Sequence, residues 1–173
     1  RVMAVLGNGA LALDATVGNG HDTLFLAEQV GTDGHVWGFD VQDSALASAA
    51  SQLAEHALQT RVTLLHSGHE QISGKLPAEA RGKLAAVMFN LGYLPGSDKQ
   101  LTTLPETTLQ ALEASVANLQ PGGLLSVLAY RGHPGGQAEA DAVAGWLNQQ
   151  ADDRLMLEII ESPGPVLYLA RKA

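Results

Sequence analysis

Short apolar runs alternate with helix-period segments along the whole chain. The runs predict strands over Leu11–Ala15, Val36–Asp40, Val62–His66, Leu84–Asn90, Leu124–Tyr130, Leu155–Glu161 and Val166–Arg171. Between them the pattern predicts a helix over Asp22–Val30 closed by Gly31, a natural residue after a helix end. A second helix is expected after a capping Asp43, with Leu46, Ala50, Leu53 and Ala57 on its buried stripe. A short helix is expected over Glu70–Leu76. Thr103-Leu104-Pro105-Glu106 reads as a capping box with proline in the first turn, opening a helix that buries Leu109, Leu112, Val116 and Leu119. Gln137–Gln149 supplies the last helix, with Glu139 and Asp141 near its positive end.

Strands alternating with helices imply a parallel sheet covered on both faces. The rhythm breaks at the end. Only Ser162-Pro163-Gly164-Pro165 joins the last two strands, which is too short for a parallel crossover, so that pair should be antiparallel. The expectation is a single α/β domain over 1–173: a Rossmann-like, seven-stranded, mostly parallel sheet with an antiparallel last strand. Five β/α units followed by such a pair is the plan of a class I methyltransferase.

Composition narrows this further. The chain has 173 residues, 46% hydrophobic and 16% charged, which excludes wholesale disorder. No apolar run approaches the ~18–20 residues that cross a bilayer, so no membrane partner is expected. Cysteine is absent, which removes disulfides, thiolate catalysis and Cys-based zinc sites and fits a reducing compartment. The net charge of −8 argues against a protein that coats nucleic acid, but allows an enzyme that meets RNA through a local basic patch.

Candidate chemistry gathers at the carboxyl ends of the strands, where such sheets bind ligands. The first strand runs into Asp14-Ala15-Thr16-Val17-Gly18-Asn19-Gly20-His21-Asp22-Thr23. Gly18 and Gly20 allow a tight turn close to a ligand, and the next helix points its positive end at the same place. The second strand ends at Asp40, followed by Val41 and Gln42, where a carboxylate can take both hydroxyls of a ribose. A dinucleotide site wants glycine or alanine where Thr23 stands. An acid closing the first strand and a terminal antiparallel pair suit S-adenosylmethionine instead, although Thr16 replaces the first glycine of the usual methyltransferase turn. His66-Ser67-Gly68-His69-Glu70 has metal-like spacing, but no third ligand follows from the sequence, so no metal is expected. Ser67, Gly68 and His69 read better as the end of strand three, beside the adenine.

These segments, with Asn90-Leu91-Gly92-Tyr93-Leu94-Pro95-Gly96-Ser97-Asp98-Lys99 and Tyr130-Arg131-Gly132-His133-Pro134-Gly135-Gly136, resemble the family labelled "putative rRNA methylase", in order and over nearly the whole chain. Characterised bacterial members of that family methylate the amine of 5-aminomethyl-2-thiouridine at the tRNA wobble position. The resemblance thus implies a cytoplasmic homodimer acting on the anticodon region of tRNA. Many amino-group methyltransferases carry Asn/Asp-Pro-Pro-Tyr where this chain carries Asn90-Leu91-Gly92-Tyr93. The Asn90 side-chain oxygen and Leu91 carbonyl are suited to accept the amine's N–H groups, with Gly92 beside them and Tyr93 stacking on the base. Tyr93, Asp98 and His133 are the candidates to take the amine's proton. Lys99, Arg131 and His133 form the expected RNA-contacting rim. Alternatives are a methyltransferase for rRNA or a small amine, a cofactor-binding module without turnover, and a nicotinamide oxidoreductase.

Overall fold

The computed structural model describes residues 1–92, 102–151 and 153–173. Seven strands form one sheet: β1 (Leu11–Asp14), β2 (His35–Asp40), β3 (Val62–His66), β4 (Leu84–Leu91), β5 (Leu119–Ala129), β6 (Leu155–Ile160) and β7 (Val166–Lys172). Their spatial order is β3-β2-β1-β4-β5-β7-β6. β1 to β5 pair in parallel, and β7 lies antiparallel between β5 and β6. The five-residue link after β6 forces that reversal, as the sequence implies. The order turns back between β1 and β4, which opens a crevice above their carboxyl ends.

Helices α1 (His21–Gln29), α2 (Asp43–Glu55), α3 (Ile72–Lys75), α4 (Pro105–Asn118) and α5 (Gly136–Gln150) cover the sheet. On one face, Ile72 of α3, Leu112 and Val116 of α4, and Val143 and Leu147 of α5 pack on Leu13, Phe39, Phe89 and Val127. On the other, Leu26 and Ala27 of α1 and Leu53 of α2 pack on Ala12, Val36 and Ala86. Alternate residues of β1, β2 and β4 thus enter two separate cores, which is why these strands are apolar on both sides.

Four local expectations are corrected. Asp43 is not the cap of α2. Gln42 holds that position, its N–H donating to Asp40 Oδ1 at 2.9 Å, while Asp43 lies in the first turn and pairs with His66 at 3.0 Å. The buried stripe of α2 is Ala45, Ala49 and Leu53, so the helix is rotated about one residue from the predicted face. Ala57 has left the helix with φ of 56°. The capping box at α4 does not form: Leu104 is the N-cap, and the Thr103 hydroxyl donates to Glu139 instead. Finally, β5 starts at Leu119, earlier than predicted. Its pairing with β4 skips from Leu84↔Leu119 to Ala86↔Leu124, so Gln120–Gly123 bulge out of the ladder.

Candidate active site

The turn between β1 and α1 is held from below. Asp14, fully buried, accepts the Thr16 N–H at 3.1 Å and the Thr23 hydroxyl at 2.6 Å. Burial raises its carboxyl pKa to about 7, and the nearby Asp22 and Asp40 push in the same direction. The turn is tied sideways to β2, because Gly18 N–H donates to Asp40 Oδ2 at 2.9 Å. It is tied to α2 through the Asn19 carbonyl, which accepts from Gln52 Nε2. Each Asp40 oxygen thus accepts one backbone N–H and keeps lone-pair capacity for a further hydroxyl.

Across the crevice, Asn90 N–H donates to Thr16 Oγ1 at 2.7 Å. Thr16, which replaces the usual glycine, therefore joins the end of β4 to the turn after β1. The Asn90 amide donates to Asp22 Oδ2. A carboxylate only accepts, so this bond fixes Nδ2 on Asp22 and leaves Oδ1 as an acceptor.

These groups line one cavity of about 920 Å³. Its walls include Thr16, Gly18, Asn19, His21, Asp22, Asp40, Val41, Gln42, Ser67, Gly68, His69, Asn90, Leu91, Gly92 and His133, all of them candidates from the sequence. His69 is nearly buried against Phe89 and its Nδ1 bonds to the Ala15 carbonyl. Burial lowers its pKa. His66 is turned away, on Asp43 and the Val41 carbonyl. The two histidines share no ligand geometry, and no cluster of three or more His, Cys, Asp or Glu suited to a metal occurs among the described residues.

Several candidates stand elsewhere. Asp14, Gly20 and Thr23 do not line the cavity; they support the turn from behind. Arg131, expected at the RNA rim, is not among the residues that line the cavity. Its guanidinium donates to the Ser162 carbonyl at 2.8 Å and to the Gly164 carbonyl, and pairs with Glu161 at 3.4 Å, so it braces the β6–β7 turn. Tyr93, Asp98 and Lys99 lie outside the described residues. Sequence reasoning missed Thr102, Thr103, Leu104, Thr107 and Tyr130, which complete the wall beyond Asn90. Thr103 and Leu104 were absorbed into the capping-box pattern. Tyr130 carried a usable signal, since it directly follows β5 at the same end of the sheet as Asn90.

Sheet order, the turn between β1 and α1, and the acid closing β2 define the class: a class I S-adenosylmethionine-dependent methyltransferase fold. The family model described as "Putative rRNA methylase" matches residues 36–162, and the chain belongs to that family. It is 40% identical over 148 residues to an Arabidopsis thaliana protein named tRNA (mnm(5)s(2)U34)-methyltransferase, chloroplastic. That match takes in 80% of this chain and 53% of the relative, so the chain spans about half the relative's length. A crystal structure from Clostridium thermocellum described as a "putative rRNA-methylase" superposes with a TM-score of 0.94 at 36% identity, covering 99% of this chain and 93% of that one. A Streptococcus mutans "putative methyltransferase", solved in complex with SAH, superposes with a TM-score of 0.87 at 30% identity over the same shares.

Proposed function

We propose that this chain is an S-adenosylmethionine-dependent RNA methyltransferase that methylates the aminomethyl group of a tRNA wobble 2-thiouridine. The observation that carries the amine acceptor is the fixed amide of Asn90, which keeps Oδ1 as an acceptor at the cavity wall. The tRNA substrate is supported by the name of the Arabidopsis relative. The methyl donor is supported by the SAH complex of the Streptococcus mutans protein and by the acceptor capacity of Asp40.

When bound, S-adenosylmethionine supplies an activated methyl group on sulfonium sulfur. Asp40 then holds the ribose end, and the turn at Gly18–Asn19 with the start of α1 holds the amino-acid end. Asn90 Oδ1 and the Leu91 carbonyl accept N–H bonds from the incoming amine and aim its lone pair along the line of displacement. The new nitrogen–carbon bond forms as the carbon–sulfur bond breaks. An aliphatic amine is mostly protonated at neutral pH and must release a proton first; His133 lines the same cavity and is suited to receive it. Tyr130 and Leu104, both exposed at the mouth, give the base an apolar surface to stack on. The same reading includes a homodimer in the cytoplasm, which sedimentation of the purified chain and imaging of a tagged copy address.

The test compares Asn90→Ala with Asp40→Ala, using total RNA from cells lacking the protein and labelled methyl donor. Asn90→Ala should lower kcat about 100-fold through misalignment, with donor affinity little changed. Asp40→Ala should weaken donor binding by about 1.5–3 kcal/mol in calorimetry. Full kcat with damaged donor affinity in Asn90→Ala would reverse the assignment. Label recovered in rRNA instead of tRNA would replace the substrate.

A further inference from the structure

Glu139 is 2% exposed, yet it belongs neither to the cavity wall nor to an ion pair among the described residues. A buried carboxylate is costly unless its oxygens are bonded, and apolar side chains would serve packing between α4 and α5 as well. Here both oxygens are engaged. Oε1 accepts the Thr108 hydroxyl of α4 at 2.7 Å, and Oε2 accepts the Thr103 hydroxyl at 2.6 Å. Glu139 also stands in the first turn of α5, where the helix dipole favours negative charge.

The Thr103 hydroxyl has a second partner. Because a carboxylate cannot donate, Thr103 must direct its hydrogen at Glu139 and turn a lone pair elsewhere. That lone pair accepts the Gly92 N–H at 2.9 Å, and the Thr103 N–H returns a bond to the Gly92 carbonyl at 3.0 Å. Gly92 and Thr103 are thereby stapled together. Gly92 lies two residues past Asn90, at φ of 144°, and a Cβ there would stand 3.3 Å from His133 Nε2. Gly92, Thr103 and His133 all line the acceptor side of the cavity.

We propose that Glu139 is a positioning residue: acting through Thr103, it fixes Gly92 and with it the wall that presents the RNA amine to the methyl group. This rests on the reading that the amine is received beside Asn90 and Leu91.

The test separates positioning from packing by treating the two threonines differently. Thr103→Val removes the hydroxyl at constant shape, while Thr103→Ser keeps it; Thr108→Val removes the other bond to Glu139 but no bond to Gly92. Methyl transfer to total RNA from cells lacking the protein is measured alongside calorimetry with SAH and thermal unfolding. Thr103→Val should lower kcat at least about tenfold with SAH affinity within about twofold of wild type. Thr103→Ser should restore kcat, and Thr108→Val should lower stability with less than about threefold loss of kcat. Glu139→Gln keeps one acceptor oxygen and should fall between wild type and Thr103→Val. Equal losses of kcat in Thr103→Val and Thr108→Val, or full kcat in Thr103→Val, would overturn the proposal. Asn90→Ala run in parallel distinguishes the two readings, since its full activity would remove the acceptor site itself, whatever the staple does.

Discussion

Asp14 shows how one buried side chain shapes the cavity without touching it. It looked like a cofactor contact because it closes β1, but its two oxygens are spent on Thr16 and Thr23, the residues that give the turn its path. Its raised pKa has a consequence for stability. The unfolded chain releases this proton near 3.8 and the folded chain near 7. Between those values the folded state binds more protons, so Asp14 makes stability fall as pH rises from about 4 to about 7, and adds no further change above that. Asp14→Asn keeps an acceptor for Thr16 and offers a donor to Thr23 while carrying no titrating group. It should therefore gain on wild type by on the order of 2–3 kcal/mol between pH 4.5 and pH 8, read from urea midpoints. Parallel curves for the two proteins across that range would show that the buried carboxyl does not titrate there.

At the scale of elements, the approach of α1 to α2 decides whether the turn can form. Gly20 caps α1 at φ of 87°, and a Cβ there would lie 2.7 Å from the Ala49 backbone. Gly20→Ala combines a left-handed backbone with a collision against main-chain atoms. It should destabilise the protein by on the order of 2–3 kcal/mol and weaken donor binding, checked by denaturant unfolding and calorimetry. Wild-type stability would mean that α2 shifts freely. Glycine spacing marked this turn in the sequence, but nothing in the sequence said that Ala49 would be its neighbour. The rotated face of α2 has the same origin: Leu46 and Ala45 both fit a helical period, and only packing on α1 and the sheet selects Ala45, Ala49 and Leu53. Thr103 failed as a cap for a related reason: its hydroxyl donates to a buried carboxylate from a helix distant in sequence, and its lone pair accepts the Gly92 N–H in place of the local N–H groups of α4.

Over the whole molecule, several basic residues stand away from the cavity. Lys83 precedes β4, Arg154 precedes β6, and Arg171 and Lys172 end β7, which places them at the end of the sheet opposite the cavity. Three of them are used internally: Arg171 bonds to the Gly122 carbonyl, Lys172 to the Leu119 carbonyl at the end of α4, and Arg154 to Glu113. At the mouth, Val41, Leu104 and Tyr130 are exposed. RNA binding by this face should depend on stacking more than on phosphate neutralisation. The salt dependence of anticodon stem-loop affinity should be shallow, a slope of about −1 to −2. Arg131→Ala should leave that slope unchanged; flattening by about 0.7 would return Arg131 to the RNA contact.

The seven strands, the antiparallel ending and the acid that closes β2 were legible in the sequence, because each follows from local periodicity, a short link or a residue type at a strand end. The same was true of Asn90, which a strand's length carries to the crevice rim. Tertiary structure decided which residues behind that rim hold it in place. Thr16 reaches Asn90, and Glu139 reaches Thr103, across 74 and 36 residues of chain. Such pairings are created by the sheet order and the packing of α5, and no window of neighbouring residues contains both partners.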